Sequence, residues 1–444
     1  MKISYNWLKE YIDVDLPAEQ VAEMLTFCGL EVEAIETFES IKGGLNGLVV
    51  GEVITKDKHP DADKLSLTTV NVGTENLLQI VCGAPNVEAG QKVIVALVGA
   101  KLYPITGEPF EIKKSKIRGA VSEGMICAED EIGLGQSHDG IMILPTDTKV
   151  GTPAAAFFKV EKDIVFEIGL TPNRVDAASH LGVARDLAAV MAIKLGRDIS
   201  IKLPELIEIK AHHNDFNVTV EVLDTNACAR YSGICISNIA ISDSPDWLKN
   251  RLKAIGLKPI NNIVDITNYV LHETGQPLHA FDAMTISGNK IVVKKPSTSE
   301  KFVTLDTVER NISTNDLMIC NASEAMCIAG VYGGLKSGVN SDTTKIFLES
   351  AYFNATSIRK TAKLHNLKTD ASFRFERGTD PSATVNALRR AAQLIQEIAG
   401  GQISGNLIDI YPVKIEPKIV TISLKRCATL IGKEIPLDQI KLIL

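Results

Sequence analysis

Residues 48–72, LVVGEVITKDKHPDADKLSLTTVNV, carry two runs rich in β-branched residues on either side of the polar turn HPDADK at 59–64. Near-alternation of apolar and polar positions over such short runs predicts paired strands rather than helix. Further runs follow at LLQIVCG (77–83), KVIVALV (92–98) and FEIKKSKIRG (110–119), with GAPN and PITGEP as turns between them. Five short strands with glycine at the bends predict a small closed barrel of the OB type over residues 41–151. Lys56, Lys58, His59, Lys64, Lys101, Lys113, Lys114, Lys116 and Arg118 concentrate positive charge in this segment. A lysine-rich surface is often merely solvated, but on such a barrel it favours RNA phosphates.

N-terminal to this segment the period changes. Residues 15–29, DLPAEQVAEMLTFCG, predict a helix with Pro17 in the first turn. Val21, Met24, Leu25 and Cys28 form its apolar stripe, and Gly29 takes the left-handed cap. On the other side, Ser179 caps a helix rich in Ala and Leu. Asn173, Arg174, Asp176, His180 and Arg185 around its start read as a hydrogen-bond network rather than catalytic groups. Residues 1–40 and 152–200 flank the barrel on either side.

Residues 205–402 mix strands and helices without regular alternation, which predicts α+β architecture. NVTVEVLD, YSGICI, NIVDITNYVLHE, KIVVKK, LMICN and KIFLES read as strands. Helices open at Ser244-Pro245, Asn354 and Asp380-Pro381. A new unit begins at 403. Pro436-Leu-Asp-Gln-Ile-Lys-Leu-Ile-Leu repeats the pattern of Pro17-Ala-Glu-Gln-Val-Ala-Glu-Met-Leu but reaches Leu444 without a cap, as in a truncated chain.

The bulk numbers bound the function. A chain of 444 residues, 45% apolar and 23% charged, is ordinary soluble protein with room for about three domains. The N-terminus, MKISYNWLKEYIDVD, lacks the apolar segment of a signal peptide, and no apolar run is long enough for a membrane helix. Eight dispersed cysteines with no C-x-x-C pair predict reduced, mostly buried thiols in a cytoplasm. No histidine spacing suits a metal, including that of His212, His213, His279 and His365, so no metal ligand is assigned. Net charge of −7 excludes a uniformly basic surface but not local phosphate contacts.

Several stretches together resemble one family, the β subunit of bacterial phenylalanyl-tRNA synthetase. They are MKISYNWLKEYI, HPDADKL with VCGAPN, KIRGAVSEGMICAEDEIGL, LTPNRVDAASHLGVARDLA, INNIVDITNYVLHETGQPLHAFD, IAGVYGG, FLESAYF and LKTDASFRFERGTDP. The resemblance covers essentially the whole chain, in the family's order. It implies an OB-fold barrel set within a small discontinuous N-terminal α/β domain (1–40 and 152–200), a central editing domain over 205–402, and from 403–444 the start of a truncated DNA-binding-like domain. It further implies a cytoplasmic α2β2 tetramer with the α subunit and tRNA(Phe), no membrane, and no cofactor within this segment. ATP and Mg2+ are expected for the complete tetramer. The α subunit would attach phenylalanine; this chain would bind tRNA and hydrolyse misattached tyrosine, and would not aminoacylate by itself. A non-catalytic tRNA-binding or assembly scaffold is the alternative.

A pocket for a phenyl ring cannot strongly reject a ring that adds one hydroxyl, whereas a second site built around that hydroxyl can. By the family pattern His279, in QPLHAFD, stands near the ester and its attacking water, with Gln276 and Asp282 as polar neighbours. Glu349, in FLESAYF, reads the tyrosine hydroxyl. Gly333, in GVYGG, leaves room for the ring, and Thr369 and Ala371, in KTDAS, line the same pocket. Thr267 and Asn268, in DITN, face the amino acid and terminal adenosine. Lys258, in GLKPIN, stands where the family commonly has arginine, and lysine lacks arginine's planar fork. Lys56, Lys58, Lys64, Lys113, Lys114, Lys116 and Arg118 are the expected tRNA contacts. Arg374, Glu376 and Arg377, in RFERGTDP, read as a structural ion network.

Overall fold

A computed structural model describes residues 1–196 and 198–444. It resolves into two compact units, Thr37–Asp163 and the remainder, Met1–Glu36 with Ile164–Leu444.

The smaller unit is built on an antiparallel sheet ordered Gly124–Ile126, Lys92–Leu97, Leu48–Lys58, Ser66–Asn71 and Leu78–Cys82, with Ile143–Leu144 also on the Lys92–Leu97 strand. Period-two alternation is explicit. Leu48, Val50, Ile94 and Ala96 enter one core cluster, while Val53, Val70, Val93 and Val95 enter another. Gly51 lets the strands close on each other, since a Cβ there would lie 2.7 Å from Val95 Cγ2. The open edge of Leu78–Cys82 is covered by residues 121–123: Glu123 N donates to Gln79 O at 2.8 Å, and Gln79 Nε2 to Val121 O at 2.8 Å. The sheet is therefore barrel-like. FEIKKSKIRG is not its fifth strand, as the sequence led us to expect. Phe110–Glu111 pairs with Lys101–Leu102, Ser115–Ile117 pairs with Ala120–Ser122, and Gly124–Ile126 takes the expected place. The alternation breaks at Ile112, which is buried, followed by the exposed pair Lys113 and Lys114.

In the larger unit, two sheets form the centre. A four-stranded antiparallel sheet runs in the order Leu278–Asp282, Lys345–Phe353, Cys228–Ser237, Gln402–Ile410. A five-stranded sheet contains Thr219–Val222, Lys290–Lys294, Met318–Cys320, Ala325–Ile328 and Tyr332–Gly333. One face of the four-stranded sheet (Ile234, Ile236, Ala280, Ile346, Leu348) shares a core with helices carrying Ile263, Val270, Leu388 and Ile395. Its opposite face (Tyr231, Cys235, Phe281, Phe347, Ala351) shares a second core with Ile291, Val293, Met318 and Cys327 of the other sheet.

The N-terminal segment belongs to the first of these cores, with Trp7, Leu25, Phe166 and Leu187 in the same cluster. Trp7 stacks between His180 at 3.8 Å and Tyr269 at 4.4 Å and donates from Nε1 to Tyr11 Oη at 2.7 Å. Gln402–Ile410 is an edge strand of the central sheet, so residues 403–410, expected to open a new unit, belong to that sheet. Leu437–Ile443 is a helix with Pro436 at its N-cap, as Ala18–Phe27 has Pro17.

NIVDITNYVLHE is a helix, Asn262–Thr274, and not the strand its β-branched residues suggested. The Asn261 side chain accepts from the N–H groups of Ile263 and Val264, and Gly275 closes the helix at φ 84°. Ile263, Ile266 and Val270 follow the helical repeat toward the core.

Candidate functional site

His279 and Glu349 meet because two strands are in register. Leu278–Asp282 pairs antiparallel with Lys345–Phe353 such that His279 lies directly opposite Glu349. On the other side of Glu349 the opposed residue is Gly233. Directly opposed residues project from the same face of a sheet, here the face that meets the five-stranded sheet. Tyr231, on the same face, donates its hydroxyl to Glu349 Oε2 at 2.9 Å, in a buried setting.

Burial decides the electrostatics. The Glu349 carboxyl is pushed up to about 8 by burial, against the smaller lowering effect of the Tyr231 bond. Burial pulls the His279 imidazole down to about 4. Both groups are therefore neutral at pH 7. Part of His279 reaches the surface, yet its Nε2 is sealed and has no hydrogen-bond partner. The ring also meets Phe281 edge-on at 4.4 Å between centroids.

The neighbours of His279 in its motif serve as anchors. Gln276 Nε2 donates to Ala351 O at 2.9 Å, which fixes the entry to the strand. Asp282 accepts from Thr343 Oγ1 at 2.7 Å and from Met284 N at 2.8 Å.

Gly333 lies against the histidine. A Cβ there would stand 2.9 Å from Leu305 Cδ1, 3.0 Å from His279 Cε1 and 3.5 Å from His279 Nε2. The clearing left by the missing side chain thus holds the imidazole edge and a leucine methyl. Thr369 is tied to the residue preceding the strand Tyr332–Gly333, its hydroxyl donating to Val331 O at 3.0 Å while it caps the helix Asp370–Phe375. Ala371, on that helix, packs against the core shared by Phe281 and Phe347. Thr267 is buried in the helix Asn262–Thr274 and donates to Val264 O at 2.7 Å; Asn268 is the next residue of that helix and is half-buried. Lys258 is exposed on the loop preceding it. The geometry therefore brings His279, Glu349 and Gly333 together and links Thr369 to them through Val331, next to the strand Tyr332–Gly333; among the described residues no hydrogen bond or ion pair joins Lys258 to them.

Two members of this cluster escaped the sequence reading. Tyr231 could have been found from strand alternation in YSGICI, which puts 231 and 233 on one face. Leu305 had no local signal, since its position depends on the fold of a distant hairpin.

In RFERGTDP, Arg377 pairs with Glu376 at 2.8 Å and Arg374 with Asp370 at 3.3 Å. Arg374 is buried and donates to Ala178 O at 3.0 Å and to Asp370 O at 2.9 Å. His180 accepts from Ser4 N at 3.1 Å through Nε2 and binds His272 O at 2.9 Å through Nδ1.

On the barrel, Lys113, Lys116 and Arg118 are exposed along and beside the strand Ser115–Ile117, and Lys64 is exposed in the 59–64 turn. Lys56 pairs with Glu88, Lys58 with Asp63 and Lys114 with Glu123, each at 2.6–2.7 Å. His59 is buried and ties the turn down, its Nε2 lying 3.1 Å from Ile117 O. Lys113 also borders a cleft of about 590 Å³ lined by Cys82, Gly83, Ile117, Met125 and His138.

Residues 227–400 match the B3/4 domain family, and residues 48–153 match a tRNA binding domain family. The chain is 52% identical over 443 residues to the phenylalanine–tRNA ligase β subunit of Bacteroides fragilis, covering all of this chain and 54% of that protein. It is 53% identical over 445 residues to the same subunit of Porphyromonas gingivalis, again 54% of that protein, and 45% identical to that of Geobacter metallireducens. The chain spans about half the length of these curated relatives. Among the described residues, no helix is long and apolar enough to cross a membrane.

Proposed function

We propose that this chain, which belongs along its whole length to the phenylalanine–tRNA ligase β-subunit family, binds tRNA through its barrel and hydrolyses tyrosine misattached to tRNA(Phe) at the His279–Glu349 site. Its partner is the α subunit, in an α2β2 tetramer whose α chains attach phenylalanine. The segment after Ile410 is the start of a DNA-binding-like domain. ATP and Mg2+ belong to the attachment reaction of the complete enzyme. Among the described residues no group of three or more His, Cys, Asp or Glu is gathered as a metal ion would need, and no step below uses one.

The observation that carries the reading is the buried Tyr231–Glu349 hydrogen bond directly across the ladder from His279. Tyr231 occupies one carboxyl oxygen. The neutral carboxyl can still donate to, or accept from, the para-hydroxyl of a tyrosyl ring. A phenylalanyl ring would leave that group unpaired, and such a mismatch is worth up to about 10⁴–10⁵ in discrimination. His279 is a poor general base, but the ester is already activated and needs a placed water more than a strong base. In the tautomer protonated on Nδ1, Nε2 accepts a hydrogen bond from that water. The water oxygen bonds to the ester carbonyl carbon, the bond from that carbon to the ribose oxygen breaks, and the water's proton ends on the ribose oxygen.

Thr369 and Ala371 line the ring pocket in this reading, Thr267 and Asn268 lie toward the terminal adenosine, and Lys258 contributes only loosely to placement. The test is deacylation of Tyr-tRNA(Phe) and Phe-tRNA(Phe) by the complete tetramer carrying Glu349→Ala or His279→Ala. Loss of Tyr-tRNA hydrolysis with tRNA binding retained supports the reading; unchanged hydrolysis by both variants dismisses it in favour of a scaffold.

A further inference from the structure

One side chain beside the site has no role in the account above. Leu305 lies in the turn of the hairpin formed by Glu300–Val303 and Glu309–Ile312. It is 45% exposed, although its Cδ1 reaches the same clearing over Gly333 that receives the ε edge of His279.

The hairpin backbone is pinned at this point. Leu305 N donates to Gly333 O at 3.0 Å, and Leu335 N to Val303 O at 3.1 Å. Arg310 fastens the turn from below, donating to Thr304 Oγ1 at 3.0 Å, to Asp306 Oδ2 at 2.6 Å and to His365 O at 3.1 Å. With the backbone fixed, only the leucine side chain is free to change position, and a half-exposed leucine has rotamers available to it.

His279 Nε2, whose neighbour Cε1 borders the same clearing over Gly333, is sealed and without a partner. A buried acceptor without a donor costs on the order of what a lost hydrogen bond costs, and the cost is recovered once a donor reaches it. The leucine methyl and the imidazole edge both border the space over Gly333, so a ring entering there meets the leucine.

We propose that Leu305 is a specificity-determining residue of the hydrolytic site: it covers the ε edge of His279 when the site is empty, is displaced by the entering tyrosyl ring, and then forms the wall that holds the ring toward Glu349. The inference rests on the editing reading but has a readout of its own. In the complete tetramer, the rate at which diethyl pyrocarbonate acylates His279, followed by peptide mass mapping across pH, reports the exposure and titration of the imidazole without any substrate.

For Leu305→Ala we expect faster acylation and a titration of His279 moved upward from about 4 toward 6.5. We also expect the ratio of Tyr-tRNA to Phe-tRNA hydrolysis to fall about tenfold, as for a pocket that loses a small apolar contact. Leu305→Trp, too large to leave the clearing, should abolish Tyr-tRNA hydrolysis with tRNA affinity unchanged. A merely structural leucine would lower the melting temperature in Leu305→Ala and move neither the titration nor the ratio, and that result overturns the proposal. Failure of the editing reading shows separately, as unchanged Tyr-tRNA hydrolysis in Glu349→Ala and His279→Ala.

Discussion

His279 and Glu349 are direct cross-strand partners in one antiparallel ladder, and burial drives their titrations in opposite directions, to about 4 and about 8. An acid and a base side by side usually form an ion pair. Here neither is charged at neutral pH, which suits an uncharged ester and an uncharged phenol better than an ion pair would. The pair is also rigid, since Tyr231 grips Glu349 from one side and Gln276 fixes the strand that carries His279.

Tyr231→Phe tests how the carboxyl is held. The change removes a bond that lowers the Glu349 titration, so the group should titrate higher still. A buried carboxyl deprived of its donor should cost about 1–3 kcal/mol of stability. Tyr-tRNA hydrolysis should fall about tenfold or more through loss of orientation, with tRNA affinity unchanged. Urea unfolding and single-turnover deacylation measure the two effects; a variant with parental hydrolysis would show that Tyr231 does not orient Glu349.

Gly333→Ala tests the close approach. The backbone there needs no left-handed φ, so the effect is steric alone. The added methyl would meet His279 Cε1 at 3.0 Å and Leu305 Cδ1 at 2.9 Å. Leucine can yield, whereas the imidazole is held by its strand and by Phe281. Overpacking of this kind costs about 1–3 kcal/mol. We expect a drop in kcat for Tyr-tRNA hydrolysis rather than in tRNA affinity, because the histidine is moved and the barrel is untouched. Parental kcat would mean that the imidazole is mobile.

Much of the fold was legible because its signals are local. Asn354 caps Ala355–Leu364 and Ser179 caps His180–Leu195 through their own side chains, and both helices were readable from those residues. The helix Asn262–Thr274 was misread because Ile, Val and Thr crowd it, and β propensity outweighed the spacing of Ile263, Ile266 and Val270 in that reading. Its Asn261 cap and Gly275 stop were the better guides. FEIKKSKIRG failed for a different reason: which strand completes a barrel is set by closure, a long-range condition that no short window contains. The site divides the same way. His279 and Glu349 stand out within their motifs, whereas Tyr231 and Leu305 join them only through strand register and hairpin docking.

On the barrel, ion pairing sorts the basic residues. Lys56, Lys58 and Lys114 already face carboxylates, whereas among the described residues Lys113, Lys116 and Arg118 form no ion pair. Unpaired cations are the better phosphate ligands because no internal partner has to be displaced. Replacing Lys113, Lys116 and Arg118 together by alanine should weaken tRNA binding. It should also reduce the dependence of log K on log salt by about one for each lost phosphate contact. The pair Lys56→Ala and Lys58→Ala should do less. Filter binding across a salt series in the complete enzyme decides the matter: an unchanged slope in the triple variant would place the tRNA elsewhere.

The opposed titrations of Glu349 and His279 leave a signature in stability. Glu349 is protonated in the folded state up to about 8 but ionises near 4.5 when unfolded, so between those values the folded state holds the extra proton. Stability therefore falls as pH rises through that window, by at most about 1.4 kcal/mol per pH unit. His279 works the other way. It is neutral when folded down to about 4 but binds a proton near 6.5 when unfolded, so its contribution is lost as pH falls from 6.5 to 4. Between about 4.5 and 6.5 the two slopes oppose each other, and from 6.5 to 8 only the glutamate acts. Glu349→Gln keeps the shape and removes the titration, so its melting temperature relative to the parent should climb from pH 6.5 to 8. The corresponding gain for His279→Gln should appear between pH 6.5 and 4. Parallel melting curves for parent and Glu349→Gln across pH 6.5–8 would mean that the carboxyl is ionised in the folded chain, and the phenol would then meet an anion rather than a neutral acid.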